Sequence, residues 1–92
     1  MFGSSVHDLL VSKGYRLTED AWQTDGRRTY LHDDNADRSF FREISRILRG
    51  VGWLPDNTVL RTFRNSGTGE LIEIEPGGAD TSGHFLHHLK SD

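Results

Sequence analysis

Four arginines share one side of a segment in the middle of the chain. They are spaced by three and four residues, so on an α-helix they fall within an arc of roughly 80°: Arg38, Arg42, Arg46 and Arg49. A guanidinium pairs with a phosphate through two parallel N–H···O bonds, so such a stripe suits a nucleic-acid backbone. An acidic protein partner suits it equally well, and so does a solvated face whose charge nearby acids offset. The spacing predicts a basic surface and leaves its ligand open.

Three histidines near the C-terminus are the second group that could do chemistry: His84, His87 and His88. On a helix over about 82–90 the first and third share a face, with the second beside them. Histidines at that spacing supply part of a zinc site, which needs about three protein ligands. Phe85 stands where a metalloprotease helix has its glutamate. Zinc is therefore the one candidate cofactor, and the alternative is a solvent-facing or partner-binding helix that presents Phe85 and Leu86.

Catalytic signatures are otherwise missing from the sequence. The chain has no cysteine, which excludes disulfides, thiolate zinc sites and cysteine nucleophiles. The serines lack a nucleophile motif, and the glycine-rich stretches lack the lysine of a phosphate-binding loop. Three acids, Glu70, Glu73 and Glu75, are interpreted as cross-strand partners of Arg61 and Arg64. We expect no catalytic residues, and the sequence favours a protein that is not an enzyme.

Charge and hydropathy limit the expected partners and the expected cellular location of the protein. The formal net charge of −3 argues against a protein that coats nucleic acid by bulk attraction, although a local basic face remains compatible with it. The N-terminal segment lacks the basic start and long apolar run of a signal peptide. No run approaches the roughly 18–20 apolar residues of a membrane span. We expect no membrane association and a cytoplasmic location.

The arginine stripe must be positioned by an amphipathic helix. Asp37 is a candidate N-cap, and Gly50 and Gly52 are candidate stops. Apolar residues recur at three-and-four spacing on nearly the opposite side: Phe40, Phe41, Ile44, Ile47, Leu48 and Val51. This segment is the organising element of the predicted fold.

The flanking segments predict one α+β domain over residues 1–92. A helix over 4–14 precedes a hairpin of strands 15–23 and 28–32, whose turn contains Asp25-Gly26. After the central helix comes a second hairpin, 58–64 and 70–75, and then the C-terminal helix. The order is helix–strand–strand, helix–strand–strand, helix. We expect a four-stranded antiparallel sheet covered on one face by helices.

An internal duplication is one interpretation of the order, with half-repeats at about 4–33 and 37–76; the alternative is a chance match between two amphipathic helices. At a constant offset, five pairs of positions match in type: Val6 and Ile44, Leu9 and Ile47, Leu10 and Leu48, Gly14 and Gly52, Tyr15 and Trp53.

The opening segment from Val6 to Leu17 resembles HicA-type toxins, in which a Leu-Leu-rich helix runs through glycine and an aromatic residue into the first strand. The resemblance implies a double-stranded-RNA-binding-like fold and contact with RNA. In that family the next strand carries Gly-Ser-His, with a catalytic histidine. Here the stretch from Asp25 to Thr29 has no Ser-His, and His32 comes later, so the catalytic role is not carried over.

We therefore expect a small non-catalytic module that binds a macromolecule, first of all a protein partner or a second copy as a homodimer. Its predicted surface combines the arginine stripe with Phe85 and Leu86. The alternative is RNA or DNA binding through the arginines. A metal-dependent hydrolase that uses His84, His87 and His88 is the third hypothesis.

Overall fold

The fold is taken from a computed structural model, which describes residues 2–34, 38–56, 58–77 and 83–90. Asp37, the predicted N-cap, lies outside these ranges. The helices and strands, in chain order, are α1 (Phe2–Ser12), β1 (Arg16–Ala21), α2 (Trp22–Asp25), β2 (Arg27–His32), α3 (Arg38–Arg49), β3 (Trp53–Pro55), β4 (Thr62–Asn65), β5 (Leu71–Pro76) and β6 (His84–Leu89).

The described residues form one six-stranded antiparallel sheet in the order β1-β2-β6-β5-β4-β3. The predicted four-stranded sheet is wrong, for two reasons. Residues 84–89, predicted as a helix, are a strand, and residues 53–55, predicted as helix end and turn, pair with β4. β6 joins the two halves of the sheet, because it pairs with β2 on one side and β5 on the other.

The misreading of β6 has a clear physical origin. Its six residues alternate between the two faces of the sheet, with His84, Leu86 and His88 on the buried one. A short segment with apolar residues at 85, 86 and 89 fits a helical as well as a two-residue period, so periodicity alone does not decide between them. The pairing with β2 and β5 decides for a strand.

The connection between β1 and β2 also differs from the predicted hairpin turn. The backbone makes one short helix, α2, from Trp22 to Asp25. Gly26 ends this helix with φ of 67°, the left-handed conformation common at helix C-termini, and its N–H donates to the Trp22 carbonyl at 3.2 Å. The extra turn carries Trp22 over the end of the sheet, where its ring contacts His88.

The core lies between one face of the sheet and the helices. Tyr30, Leu86 and Ile74 stand opposite one another on β2, β6 and β5, and so share that face. They belong to one buried cluster with α1, through Val6 and Leu10, and with α3, through Ile44 and Leu48. The central helix thus turns its apolar stripe toward the sheet as its periodicity predicts: Ile44 and Leu48 are buried, and Phe40, Phe41 and Ile47 are half-buried. Val51 lies beyond the helix end and is exposed.

The two edge strands begin with the same local structure. Gly14 and Gly52 have φ values of 97° and 96°, which favour glycine, and each lies two or three residues after a helix. The aromatic residue that follows, Tyr15 or Trp53, is 2% exposed in both cases. These two positions are one of the matched pairs of the half-repeats at 4–33 and 37–76, which stay a prediction.

Both edges of the sheet are poor templates for pairing with another chain. A bulge between Leu17 and Glu19 interrupts β1, and β3 has three residues and ends at Pro55. Bulges, prolines and short strands are the usual protections against edge-to-edge association. Within the described ranges, every helix falls short of the length and apolar character needed to cross a membrane.

Candidate functional site

The arginine face, defined as Arg38, Arg42, Arg46 and Arg49, lies along the exposed side of α3. The helix rise of 1.5 Å per residue spreads these side chains over about 16 Å. Together with Phe41 and Ser45 they line an open groove of about 450 Å³. Ile44 and Leu48, buried against the sheet, fix which side of the helix faces outward.

Several acids of the chain pair with residues outside α3. Four other arginines have carboxylate partners: Arg16 with Asp33 at 3.0 Å, Arg27 with Glu19 at 3.6 Å, Arg28 with Asp20 at 3.2 Å and Arg64 with Asp56 at 3.4 Å. Within the described residues, no member of the arginine face has a salt bridge or a side-chain hydrogen bond. The Arg16 guanidinium also lowers the pKa of Asp33 by hydrogen bonding to it, so this acid stays ionised in its pair with Arg16. The arginine face is left as a concentrated positive surface.

The structure does not bring Phe85 and Leu86 together with the arginines. Neighbouring residues of a strand point to opposite faces of the sheet. Leu86 is fully buried in the core, so it cannot contact a partner, while Phe85 is 38% exposed on the face away from the helices. The predicted composite surface therefore reduces to the arginine face.

The three predicted zinc ligands are also separated by the strand geometry. His84 and His88 share a face but lie four residues apart, which is about 13 Å along a strand. His87 points to the opposite face, where its Nε2 lies 2.7 Å from Glu75. Across the described residues, no three His, Asp or Glu side chains are grouped as a metal site.

His84 instead ties three parts of the fold together. Its Nδ1–H donates to the Asp34 carbonyl at 2.7 Å, which leaves Nε2 to accept from the Tyr15 hydroxyl at 2.6 Å. Burial lowers the pKa of His84 and raises that of Tyr15, so both are neutral near pH 7. His32 stacks on His84 at 5.4 Å and accepts from the Asp34 N–H. These bonds connect β6 to the start of β1 and to the segment before α3.

His88 makes a second set of buried contacts, which the sequence analysis did not predict. Its ring lies between two indoles, with centroids 4.6 Å from Trp22 and 5.6 Å from Trp53. Its Nε2 lies 2.8 Å from a Glu70 carboxylate oxygen, and Nδ1 is buried with no hydrogen-bond partner in the described structure. Burial lowers the pKa of His88.

The cross-strand pairing expected for the acids of β5 is accordingly wrong. Glu70 and Glu75 hydrogen-bond to His88 and His87, and Arg64 pairs with Asp56. The alternation of residues 84–89 was the available signal, because a two-residue period places His88 on the core face of a strand.

Comparison with known proteins identifies no relative. No family model matches the chain, and searches of curated proteins and of solved structures gave no match. The resemblance to HicA-type toxins therefore depends on the opening segment alone.

Proposed function

We propose that this protein binds the phosphate backbone of a nucleic acid through the arginine face. The proposal depends on one observation: four arginines of α3 share one exposed face without an acidic partner among the described residues, whereas only Arg61 of the five other arginines lacks one. Exposed guanidinium groups aligned on a rigid helix suit bidentate contact with successive phosphates.

The character of the surface favours a polyanion over a protein partner. Tight protein interfaces depend on a few buried aromatic or apolar anchors. The arginine face offers charge around a half-buried Phe41, and Leu86, the apolar anchor expected beside it, is inside the core. Self-association through sheet edges is disfavoured by the β1 bulge and by Pro55. A protein partner or homodimer remains a prediction with less support.

The number of arginines sets the expected salt dependence. Neutralising four phosphates gives a slope of log K against log salt of about −3.6 on duplex DNA and about −2.8 on a single strand. Between 50 and 200 mM salt, the affinity should then fall roughly 150-fold for the duplex and roughly 50-fold for the single strand.

Fluorescence anisotropy of labelled single- and double-stranded RNA and DNA, at both salt concentrations, tests the proposal. The Arg42→Ala/Arg46→Ala variant should bind more weakly and should reduce the salt slope by about 2 on a duplex. The matched control is Arg27→Ala/Arg64→Ala, which removes the same charge from the opposite face of the sheet, where both arginines have acidic partners.

The control should retain nearly wild-type affinity. Equal losses in the two double variants would show that only net charge matters and would refute a defined arginine site. Absence of binding to any of the four nucleic acids at 50 mM salt and tens of micromolar protein would refute the proposed function itself.

A further inference from the structure

A cleft of about 440 Å³ lies on the helix side of the sheet, at the end where α2 sits, and is separate from the arginine face. We call it the His88 cleft. The side chains that matter for its chemistry come from six elements or loops: His7 of α1, Asp20 of β1, Trp22 of α2, Arg28 of β2, Glu70 before β5 and His88 of β6. Its volume lies within the usual range of small-molecule sites.

His88 in the wall of the cleft holds the Glu70 carboxylate. Because burial keeps His88 neutral, its Nε2–H donates to Glu70 at 2.8 Å. The other ring nitrogen, Nδ1, is buried with no partner in the described structure, and the side chain is only 2% exposed, so neither water nor a ligand reaches it. The bond to Glu70 is therefore the polar contact that the His88 ring makes, and it fixes Glu70 at the cleft.

The other polar groups of the cleft determine which hydrogen-bond donors and acceptors a ligand needs. Arg28 uses its Nε for Asp20, at 3.2 Å, and its two terminal nitrogens have no hydrogen bond to a described residue. Glu70 uses one carboxylate oxygen for His88 and leaves the other. The cleft therefore presents a planar donor fork and a carboxylate acceptor. The Arg28 guanidinium lies over the Trp22 ring, with its carbon 4.8 Å from the ring centroid, so Trp22 supports the fork.

Guanine has the complementary pattern. Its O6 and N7 accept two hydrogen bonds from one arginine, and its N1–H and 2-amino group donate from the neighbouring edge. Adenine places an amino donor next to N7, so it would set a donor against Arg28. The pyrimidines lack the O6/N7 pair.

We propose that the His88 cleft binds a guanine base, with Arg28 on its O6/N7 edge and with Glu70 accepting from its N1–H and 2-amino group. The base can come from a free guanine nucleotide or from an unpaired guanine in a nucleic acid. The cleft shares no residue with the arginine face, so this proposal does not depend on the proposed function.

Isothermal titration with guanosine and adenosine 5′-monophosphate tests the site. The guanosine nucleotide should bind, and the adenosine nucleotide should bind at least tenfold more weakly. Glu70→Gln should weaken guanosine monophosphate binding by about 10–100-fold, because the new amide nitrogen cannot accept a hydrogen bond. The matched control is Glu75→Gln, which alters the other His–Glu pair, on the opposite face, and should leave binding unchanged.

Two further measurements distinguish a free nucleotide from a base within a strand, and distinguish this proposal from the proposed function. The RNA pentamers UUGUU and UUAUU should differ in affinity if the cleft takes a base within a strand, and only the mononucleotide should bind if it takes free nucleotide. The Arg42→Ala/Arg46→Ala variant should bind guanosine monophosphate as well as wild type. If the arginine face does not bind nucleic acid, the result for guanosine monophosphate is therefore unaffected.

A spectroscopic measurement keeps the test valid if Glu70→Gln fails to fold. In ¹⁵N-labelled wild-type protein, saturating guanosine monophosphate should shift the Arg28 guanidinium resonances, because the terminal nitrogens gain acceptors. Absence of binding at millimolar guanosine monophosphate and to UUGUU, equal binding of the two nucleotides, or unchanged Arg28 resonances in the complex would overturn the proposal.

Discussion

Removal of the Tyr15 hydroxyl is a direct test of the buried bond between Tyr15 and His84. Tyr15→Phe keeps the aromatic packing but takes away the only described donor to His84 Nε2, at 2.6 Å. Both residues are almost completely buried, so water does not replace the lost group. An acceptor left unsatisfied in a protein interior costs about 1–3 kcal/mol. For a domain of this size, that loss corresponds to a fall in Tm of roughly 5–20 °C.

Tyr30→Phe provides a matched control. Tyr30 is fully buried too, and its hydroxyl also hydrogen-bonds to a histidine, at 2.8 Å from His7 Nδ1. His7 is only half-buried and lines the His88 cleft, so solvent can satisfy its ring nitrogen after the substitution. The expected cost is therefore only about 0.5–1 kcal/mol.

Urea denaturation followed by tryptophan fluorescence at pH 7.5 gives the free energy of unfolding of both variants. Tyr15→Phe should be the less stable by at least about 1 kcal/mol. If the two variants lose equal stability, or if Tyr15→Phe loses none, the buried Tyr15–His84 bond does not stabilise the domain as we argue.

Three other measurements test separate features of the fold. The free energy of unfolding should be constant above about pH 6.5 and fall below it, because burial lowers the pKa of His84 and His88 and the unfolded chain takes up protons that the folded chain does not. Urea titrations from pH 8 to 5 should show a slope of up to about 2.7 kcal/mol per pH unit for two protons. A flat curve would contradict two neutral buried histidines. Gly14→Ala should lower Tm more than Gly52→Ala, although both glycines have φ near 97°. The new methyl group would lie 2.8 Å from His32 Nε2 at position 14 and would meet nothing within 4 Å at position 52. Equal Tm values would contradict the close approach at Gly14. Adding zinc or EDTA should leave Tm unchanged, because His84 and His88 lie about 13 Å apart; a rise with zinc that His88→Gln abolishes would show that the histidines converge on a metal.

The sequence predicts α3 well because its signal is local. Twelve residues with apolar and basic positions on opposite sides specify both the helix and the side that it buries. The arginine face follows directly, since exposed residues of a helix need no knowledge of the rest of the fold. Gly52 and Trp53 likewise mark the helix end and a buried position without further information.

The sheet and the His88 cleft could not be predicted in the same way, because both depend on pairing between distant segments. β6 becomes a strand only when β2 and β5 flank it. The cleft forms where Asp20, Arg28 and His88 align across three strands, and Glu70 closes it from a loop. None of these residues carries a local pattern that connects it to the others.

The position of β6 has a consequence for how the domain forms during synthesis. The β1–β2 hairpin and the β3–β4–β5 meander are joined in the sheet only by β6, which leaves the ribosome after both of them. Until then each piece exposes one unpaired inner edge and part of an apolar face, the features that promote misassociation of incomplete chains. Because contacts such as Tyr30 with Leu86 span more than half of the chain, their closure is also expected to limit the folding rate. A nascent chain lacking residues 84–89 should therefore be recognised by chaperones or proteases as unfolded, and the domain should become protease-resistant in a single late step.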